Sequence, residues 1–508
     1  MRHHLFLLPA ALLLATAAGA QTAVLTRSGG VLGTSADFAL QGDPGEIFIL
    51  IPSLTNGPTP LSLFDPGDSR SLAVGLDQIP LWTIGFLNGA GQAAVSYPLA
   101  AEPALHGLPV YAQFVTWPGN PTRVDDISNY TAFPLTMPEA STYTVGEVSK
   151  EATGHALTRL ADGRVLVSGG SKPLGASSVA VNELEVFDPA TYSFTLRPEV
   201  MSQVRTAHTA TRLADGRVLL CGGADSAGVI TASVDLWDPA AGTVTPAAPM
   251  SVARTQHTAT LLPDGRVFVA GGTSDFDFSD PLGALAAIHA TTEAYNPSTN
   301  SWSPSASLPK PRVMHAASLA GDGRVLITGG IEVTYILGIP FADFSADCRA
   351  WNPTTGAMQD VSDFSGVRAG HAQLTLADGD VLVAGGADGN LITQVINPLA
   401  SVRRYDVSAN SWANVASMAN ARVYPNLLDA AGTVVAIGGL STLDLATLTG
   451  APVLDVETSG QPAIAWTTNG AMLLGRPLVL SAPIDGGRRI LSVGSDGTGQ
   501  TAEAYAVQ

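Results

Sequence analysis

The sequence predicts an all-β chain in which one four-stranded antiparallel sheet is repeated along the C-terminal two thirds, behind a separate and smaller β module. Three observations lead there. Apolar residues make up 46% of the 508, aromatics only 6%, and there are 53 Gly and 34 Pro, a mixture that suits many short strands better than long helices. The phrase His257-Thr-Ala-Thr-Leu-Leu-Pro-Asp264-Gly265-Arg266-Val-Phe-Val-Ala-Gly271-Gly272 recurs with its internal spacing intact. Before Tyr143 there is no copy of it, only strand-length apolar runs separated by turn formers.

The chain begins with Arg2, an apolar run from Leu5 to Ala17 and Ala18-Gly19-Ala20 ahead of Gln21. This is the pattern of a cleaved secretory leader, so residues 1–20 are set outside the fold and a secreted or periplasmic location is expected. The apolar run is shorter than the roughly 20 residues a membrane span needs.

Residues 21–140 read as a β-sandwich. Strands are predicted in Glu46–Ile51, Pro80–Phe86, Ala93–Tyr97 and Leu108–Trp117, with turns at Asn56-Gly-Pro-Thr-Pro60 and Asp65-Pro-Gly-Asp-Ser69.

From Tyr143 the repeat takes over. Its His stands at 155, 208, 257, 315 and 371, its Asp at 162, 215, 264, 322 and 378, and its Gly-Gly begins at 169, 222, 271, 329 and 385. A sixth copy, from Tyr424-Pro425 through Gly432 to Gly438-Gly439, keeps the frame without the His and the Asp. The Asp-Gly marks a hairpin turn between strands one and two. Strand three ends in an aromatic and a turn, as in Phe187-Asp-Pro189, Trp237-Asp-Pro239 and Tyr295-Asn-Pro297. A short fourth strand carries Phe194, Val244, Trp302, Met358 or Trp412. A link then pairs an apolar residue with an Arg four positions later: Met201/Arg205, Met250/Arg254, Leu308/Arg312, Phe364/Arg368, Met418/Arg422 and Met472/Arg476.

An Arg-x-x-His opening, a Gly-Gly after strand two and an aromatic in strand four resemble the kelch repeat family in its bacterial form, over roughly Tyr143 to the C-terminus. The resemblance implies a kelch-type β-propeller, in which radial packing hides the sheet edges. Six complete units are followed by a seventh, from Leu478 to Val507, that lacks strand four; the segment 142–148 precedes the first unit and can supply it. The expected architecture is therefore a seven-bladed propeller over residues 141–508, closed by its own N-terminal strand.

A formal charge of −18 argues against nucleic acid or an anionic membrane as partner, since both call for a basic patch. The two cysteines, Cys221 and Cys348, fall in non-adjacent units and read as small buried hydrophobes.

In an up-and-down sheet the Asp-Gly and Asp-Pro turns share one face, while the two-to-three loops and the links share the other, where lengths vary. Variable loops on a rigid scaffold are where binding concentrates. The two longest loops follow Gly272 and Gly330 and place Phe276, Phe278, Tyr335, Phe341 and Phe344 as candidate ligand-binding residues. The segment 332–344 is expected to be a loop that packs on the N-terminal module or forms a recognition patch. Asp275, Asp277 and Asp280 resemble the start of a calcium loop, without the later Glu of an EF-hand.

Five of seven histidines in the mature chain occupy one repeat position. Spread around a ring they cannot share one ion, so they are expected to hydrogen-bond within the repeat, with the preceding Arg as candidate partner. The blade pattern is also similar to the catalytic propeller of galactose oxidase. The copper ligands that resemblance would imply are not matched, because Tyr424 is followed by Pro425 where that pattern has His. The expected function is a non-catalytic binding or interaction scaffold for an extracellular protein or glycan. The alternatives are a carbohydrate-active or galactose-oxidase-like enzyme and a structural envelope component.

Overall fold

The computed structural model describes residues 23–508, except 33, 64–67, 101–104, 106–107, 119–123, 136–141, 148–152, 175–176, 190–192, 276–279, 445–449, 462–463, 476–477, 495–500 and 508. The leader sequence, and with it the expected cleavage after Ala20, lies outside the described residues. The chain divides into two compact units, Met1–Leu135 and Thr136–Gln508.

The first unit is built of short antiparallel strands. Val24–Gly29, Ser35–Gln41 and Gln92–Pro98 form a three-stranded sheet, and Ile47–Ser53 sits between Thr83–Phe86 and Pro109–Trp117 in a four-stranded one. Phe38 of the first sheet packs against Phe133 of the second, ring centroids 6.1 Å apart. Asn56–Pro60, predicted as a turn, is instead a strand paired with Ser71–Val74. Two prolines are tolerated there because the sheet has only two strands and a register shift removes ladder bonds between Asn56 and Thr59.

The second unit contains seven four-stranded antiparallel sheets among the described residues. Six are contiguous in sequence. In the seventh, Leu480–Ile484, Arg489–Val493 and Thr501–Ala506 are joined by Thr142–Glu147, which pairs Thr142 with Tyr505 and Tyr143 with Ala504. First strands touch in a closed cycle: Ala156–Arg159, Thr209–Arg212, Thr258–Leu261, Ala316–Leu319, Ala372–Thr375, Asn426–Ala430 and Leu480–Ile484, the last touching the first again. Among the described residues no helix is long and apolar enough to cross a membrane.

The core lies between consecutive sheets. Second strands such as Val218–Cys221 and Val267–Ala270 are buried throughout, as strands covered on both faces must be. One inter-sheet cluster joins Leu219, Val234 and Met250 to Val267, Val269 and Tyr295 of the next sheet. Cys221 and Cys348 are free and buried, and burial pushes the Cys348 thiol up to about 12. Both therefore act as packing groups.

Strand-three and strand-four aromatics meet across the ladder, with centroids 4.9 Å apart for Phe187 and Phe194, 5.1 Å for Tyr295 and Trp302 and 5.0 Å for Tyr405 and Trp412. They also tie neighbouring sheets together, since Trp302 Nε1 donates to Ala248 O and Trp412 Nε1 donates to Ser362 O, both at 2.7 Å.

In the Asp-Gly-Arg turns, Asp264 Oδ1 accepts from Arg266 N at 3.1 Å while Oδ2 accepts from Arg266 Nη2 at 2.6 Å. Gly265 has φ +85 with open space where a Cβ would stand, so backbone conformation alone selects glycine there. This repeated ion pair is exposed and shapes the turn more than it stabilises the fold.

Candidate functional site

The repeated His, Arg and Gly-Gly are joints between sheets. Each first Gly has positive φ, and a Cβ on Gly271 would lie 2.7 Å from both Arg312 O and His315 Cε1 of the next unit. No other residue fits at that crossing. The residue before each repeated His, and before Pro425 in its place, is left-handed even where it carries a side chain: Ala207, Gln256, Met314 and Tyr424 all have φ between 53 and 55. The conformation costs about 1–2 kcal/mol per residue. It is offset where Ala207 N donates to Gly154 O at 2.6 Å and Tyr424 N donates to Gly370 O at 2.7 Å, and it aims the following side chain at the preceding sheet.

The histidine partner is not the preceding Arg but a hydroxyl of the preceding unit. Nε2 of His208, His257, His315 and His371 lies 2.8, 2.9, 3.1 and 2.8 Å from the hydroxyls of Ser168, Thr209, Thr258 and Thr328. The supply follows a rule. Where the residue before Gly-Gly is Ser168 or Thr328, that residue serves; where it is Cys221 or Ala270, the Thr at the start of strand one serves instead. The fifth unit offers Ala384 and Ala372, hence no hydroxyl, and the next unit carries Pro425 in place of His. The imidazoles of His257, His315 and His371 are neutral. Burial, then the neighbouring guanidinium, holds His257 and His315 at about 3 and His371 well below the usual range. Sequence spacing found the residues but pointed to the preceding Arg; the alternation of hydroxyls between units is the signal that could have identified their partners.

Among the described residues the link arginines, Arg205, Arg254, Arg312, Arg368 and Arg422, are buried and each spans its own unit. Arg254 Nη1 donates to Gly271 O and Thr291 O at 2.8 and 3.1 Å, and Nη2 donates to Glu293 Oε1 at 3.0 Å. Arg205–Asp235 and Arg422–Glu457 repeat the pair at 2.8 and 2.6 Å. The carboxylate also caps the link, as Ser251 N donates to Glu293 Oε2 at 2.9 Å.

The links and two-to-three segments of units three to five carry the features that differ. The expected loop at 332–344 is a β-hairpin, Ile331–Ile336 with Ile339–Phe344, and Ile331 and Glu332 pair with Val313 and Arg312. Leu337 and Gly338 turn with φ 51 and 82, the pair of positive angles of a two-residue hairpin turn. Leucine in place of the usual Asn or Asp is why the turn was not legible. Beside it lie a second hairpin, Ala387–Asn390 with Val395–Pro398, and a short helix, Pro281–Ala286.

These elements share a small core of Ile288, Val313, Ile331, Val333, Phe344, Ala369, Ala387 and Val423. Phe344, expected among ligand-binding residues, is 6% exposed and belongs to that core; it anchors the hairpin. Tyr335 and Phe341 are exposed, together with Ile336, Ile339, Ile392 and Val395, and Leu337 at the tip is 98% exposed. Phe276, Phe278 and Asp277 lie outside the described residues. Asp280 is the N-cap of the short helix, its Oδ1 accepting from Gly283 N at 3.1 Å. Asp275 is part-buried beside Thr273, whose hydroxyl accepts from Asp275 N at 3.2 Å.

Among the described residues, the carboxylates whose oxygens converge are Asp43, Glu46 and Asp125 of the first unit. Burial, despite a hydrogen bond from Thr116, and the nearby Asp125 raise the Glu46 carboxyl. On the turn face, a cleft of about 440 Å³ is lined by Asp264, Asp322, Arg324 and Pro353.

The family described as Kelch motif matches residues 254–309 and 370–419. Among curated proteins, Kelch-like protein 36 of Bos taurus is 27% identical over 159 residues, covering 31% of this chain and 24% of the relative. Kelch-like protein 36 of Mus musculus is 25% identical over 177 residues, covering 35% and 27%. The chain thus spans about a quarter of the length of these relatives. A solved structure titled "Structure of YjhT" aligns with TM-score 0.46 and 15% identity, over 64% of this chain and 99% of that one.

Proposed function

We propose that this kelch-repeat β-propeller is a protein-interaction scaffold whose contact surface is the apolar ridge formed by the hairpins of units four and five. The carrying observation is the exposure of Tyr335, Ile336, Leu337, Ile339, Phe341, Ile392 and Val395 on adjacent rigid hairpins. An exposed apolar group of that extent marks a site of association, and a tyrosine such as Tyr335 is among the side chains that dominate the energy of protein interfaces.

Charge defines the partner further. The ridge is bordered by Asp343, Asp388 and Asp280, and the whole chain is at −18. The fitting partner is a protein with an apolar patch rimmed by Lys and Arg, because such a rim steers encounter and rejects acidic competitors. The leader-like segment supports meeting that partner outside the cytoplasm. The aliphatic tip supports a protein ligand over a glycan.

The test replaces Leu337, Ile339 and Phe341 together by Ser. The tip residues lie outside the small core, so the melting temperature should stay within a degree or two. Burying each of these side chains contributes about 1.5–3 kcal/mol, so capture of a basic-rimmed partner by the immobilised chain should fall at least about a hundredfold. A control variant, Arg266→Ala on the turn face, should capture normally. Equal capture by the triple variant, or loss in the control, would contradict the proposal.

A further inference from the structure

The link of the fifth unit lacks a carboxylate that its counterparts possess. Strand pairing places Asp235, Glu293, Arg403 and Glu457 at equivalent positions, opposite Leu220, Val269, Val383 and Ala436. Asp235, Glu293 and Glu457 each accept from the link guanidinium and from backbone N–H groups following the link's apolar residue. The latter are Ser202 N for Asp235, Ser251 N for Glu293, and both Ala419 N and Asn420 N for Glu457.

The fourth unit also has an Arg here, Arg349, but it is compensated. Arg312 pairs with Asp347 and, at 3.2 Å, with Glu332. Pro309 removes the N–H that would need an acceptor.

The fifth unit has neither compensation. Among the described residues Arg368, 1% exposed, donates only to Gly385 O, Ser401 O and Ser401 Oγ, at 3.0, 3.3 and 2.9 Å, and its Cζ lies over the Phe364 ring, 5.3 Å from the centroid. Ser365 N and Gly366 N, which match the capped N–H groups, donate to no acceptor among the described residues. Arg403 leans over the same link, its Nη1 donating to Ser365 Oγ at 2.7 Å and to Asn414 Oδ1 at 2.5 Å, while its Nε is buried with no acceptor among the described residues. The terminal Nη2 of Arg403 comes within 3.8 Å of where a Cβ on Gly366 would be. A buried guanidinium without a carboxylate is costly, and two guanidiniums with two free backbone N–H groups make an oxyanion cradle.

We infer that the link Phe364–Arg368, with Ser401 and Arg403, is a binding site for a carboxylate supplied from outside the unit. The ligand restores what Asp235, Glu293 and Glu457 provide internally. One oxygen accepts from the Arg368 guanidinium, and the other accepts from Ser365 N and Gly366 N, with Arg403 Nε as a further donor. Ser365 and Gly366 are exposed, so the backbone side of the cradle is open to solvent. Burial and then Arg403 lower the Arg368 guanidinium to about 10, although Asp388 acts in the opposite sense; it remains charged at neutral pH and the bound anion would raise it. The site does not depend on the apolar ridge.

The carboxylate can be a free small acid or a Glu side chain of another molecule, and two probes separate these. Sodium acetate and a capped tripeptide, acetyl-Gly-Glu-Gly-amide, are titrated into the full chain by calorimetry and by thermal melting, against sodium chloride at matched ionic strength. Saturable binding with a rise in melting temperature is expected. Tighter binding of acetate assigns the site to small acids, and tighter binding of the peptide assigns it to a macromolecular side chain. Arg403→Glu supplies the carboxylate from within, so this variant should melt higher than wild type in chloride and bind either probe at least about tenfold more weakly. Arg403→Gln removes one donor without filling the cradle and should bind a few-fold more weakly, with little change in melting. No carboxylate-specific response in wild type, an undiminished response in Arg403→Glu, or melting of Arg403→Glu below wild type would each overturn the inference.

Discussion

Arg254→Met is expected to destabilise the second unit by about 3–5 kcal/mol, the usual result of removing one partner of a buried ion pair. Arg254 is fully buried and Glu293 is 2% exposed at the side chain, so the variant leaves a carboxylate without its guanidinium in a low-dielectric joint. It also strips two carbonyls, Gly271 O and Thr291 O, of a donor. Arg368→Met should cost distinctly less, because no carboxylate is orphaned in the fifth unit. Urea unfolding of the two variants measures the difference. Equal losses would mean that the carboxylates at the strand-three position contribute little and that the links act through packing alone.

Acid is expected to unfold the propeller well before its surface carboxylates are all neutralised. His257 and His315, at about 3, and His371, also held low, stay neutral in the folded state but take up protons near 6.5 once unfolded. Their depressed values therefore contribute stability that is complete above about 6.5 and is lost as the pH falls toward 3. Each group removes about 1.4 kcal/mol per pH unit. Three groups over two units remove roughly 8 kcal/mol, comparable with the whole stability of a typical domain at about 5–15 kcal/mol. An opposing effect exists, since acid relieves repulsion in a chain at −18. Those charges are spread over the surface and screened beyond about 8 Å at physiological salt, so the buried imidazoles should dominate. In His315→Gln, stability at pH 7 should fall while its dependence between pH 6 and 4.5 becomes shallower by about 1.4 kcal/mol per pH unit. An unchanged slope would show that His315 takes up its proton without unfolding.

Repetition made the architecture legible because each unit solves the same physical problem with the same residues. The fixed spacing from His257 to Asp264 to Gly271 dictates a hairpin and a crossing that recur in the fold. The same repetition concealed what the residues do between units. His315 answers to Thr258 of the previous unit, a contact that no local spacing announces, although the alternation of Ser168 or Thr328 with Thr209 or Thr258 encodes it. Asn56–Pro60 was misread because its Gly and prolines signal a turn, whereas a two-stranded edge tolerates them. The hairpin at 331–344 was read as a loop because Leu337-Gly338 is an uncommon turn pair; that its base, Ile331, Val333 and Phe344, is buried while its outer half, Tyr335 to Phe341, is largely exposed follows only from the pairing. That Arg403 stands where other units have a carboxylate was invisible until strand register aligned it with Glu293 and Glu457.

Residues that recur therefore build the ring, and the proposed recognition falls to residues that differ. Site-specific photo-crosslinking tests this division most directly, with the reactive side chain at Leu337 on the ridge in one protein and at Asp264 on the repeated turn face in another, each exposed to the same extracellular or periplasmic proteins. The account predicts one dominant adduct from Leu337, to a protein segment rich in apolar and basic residues and competed away by unlabelled wild type, with none from Asp264. A dominant competed adduct from Asp264 with none from Leu337 would contradict it.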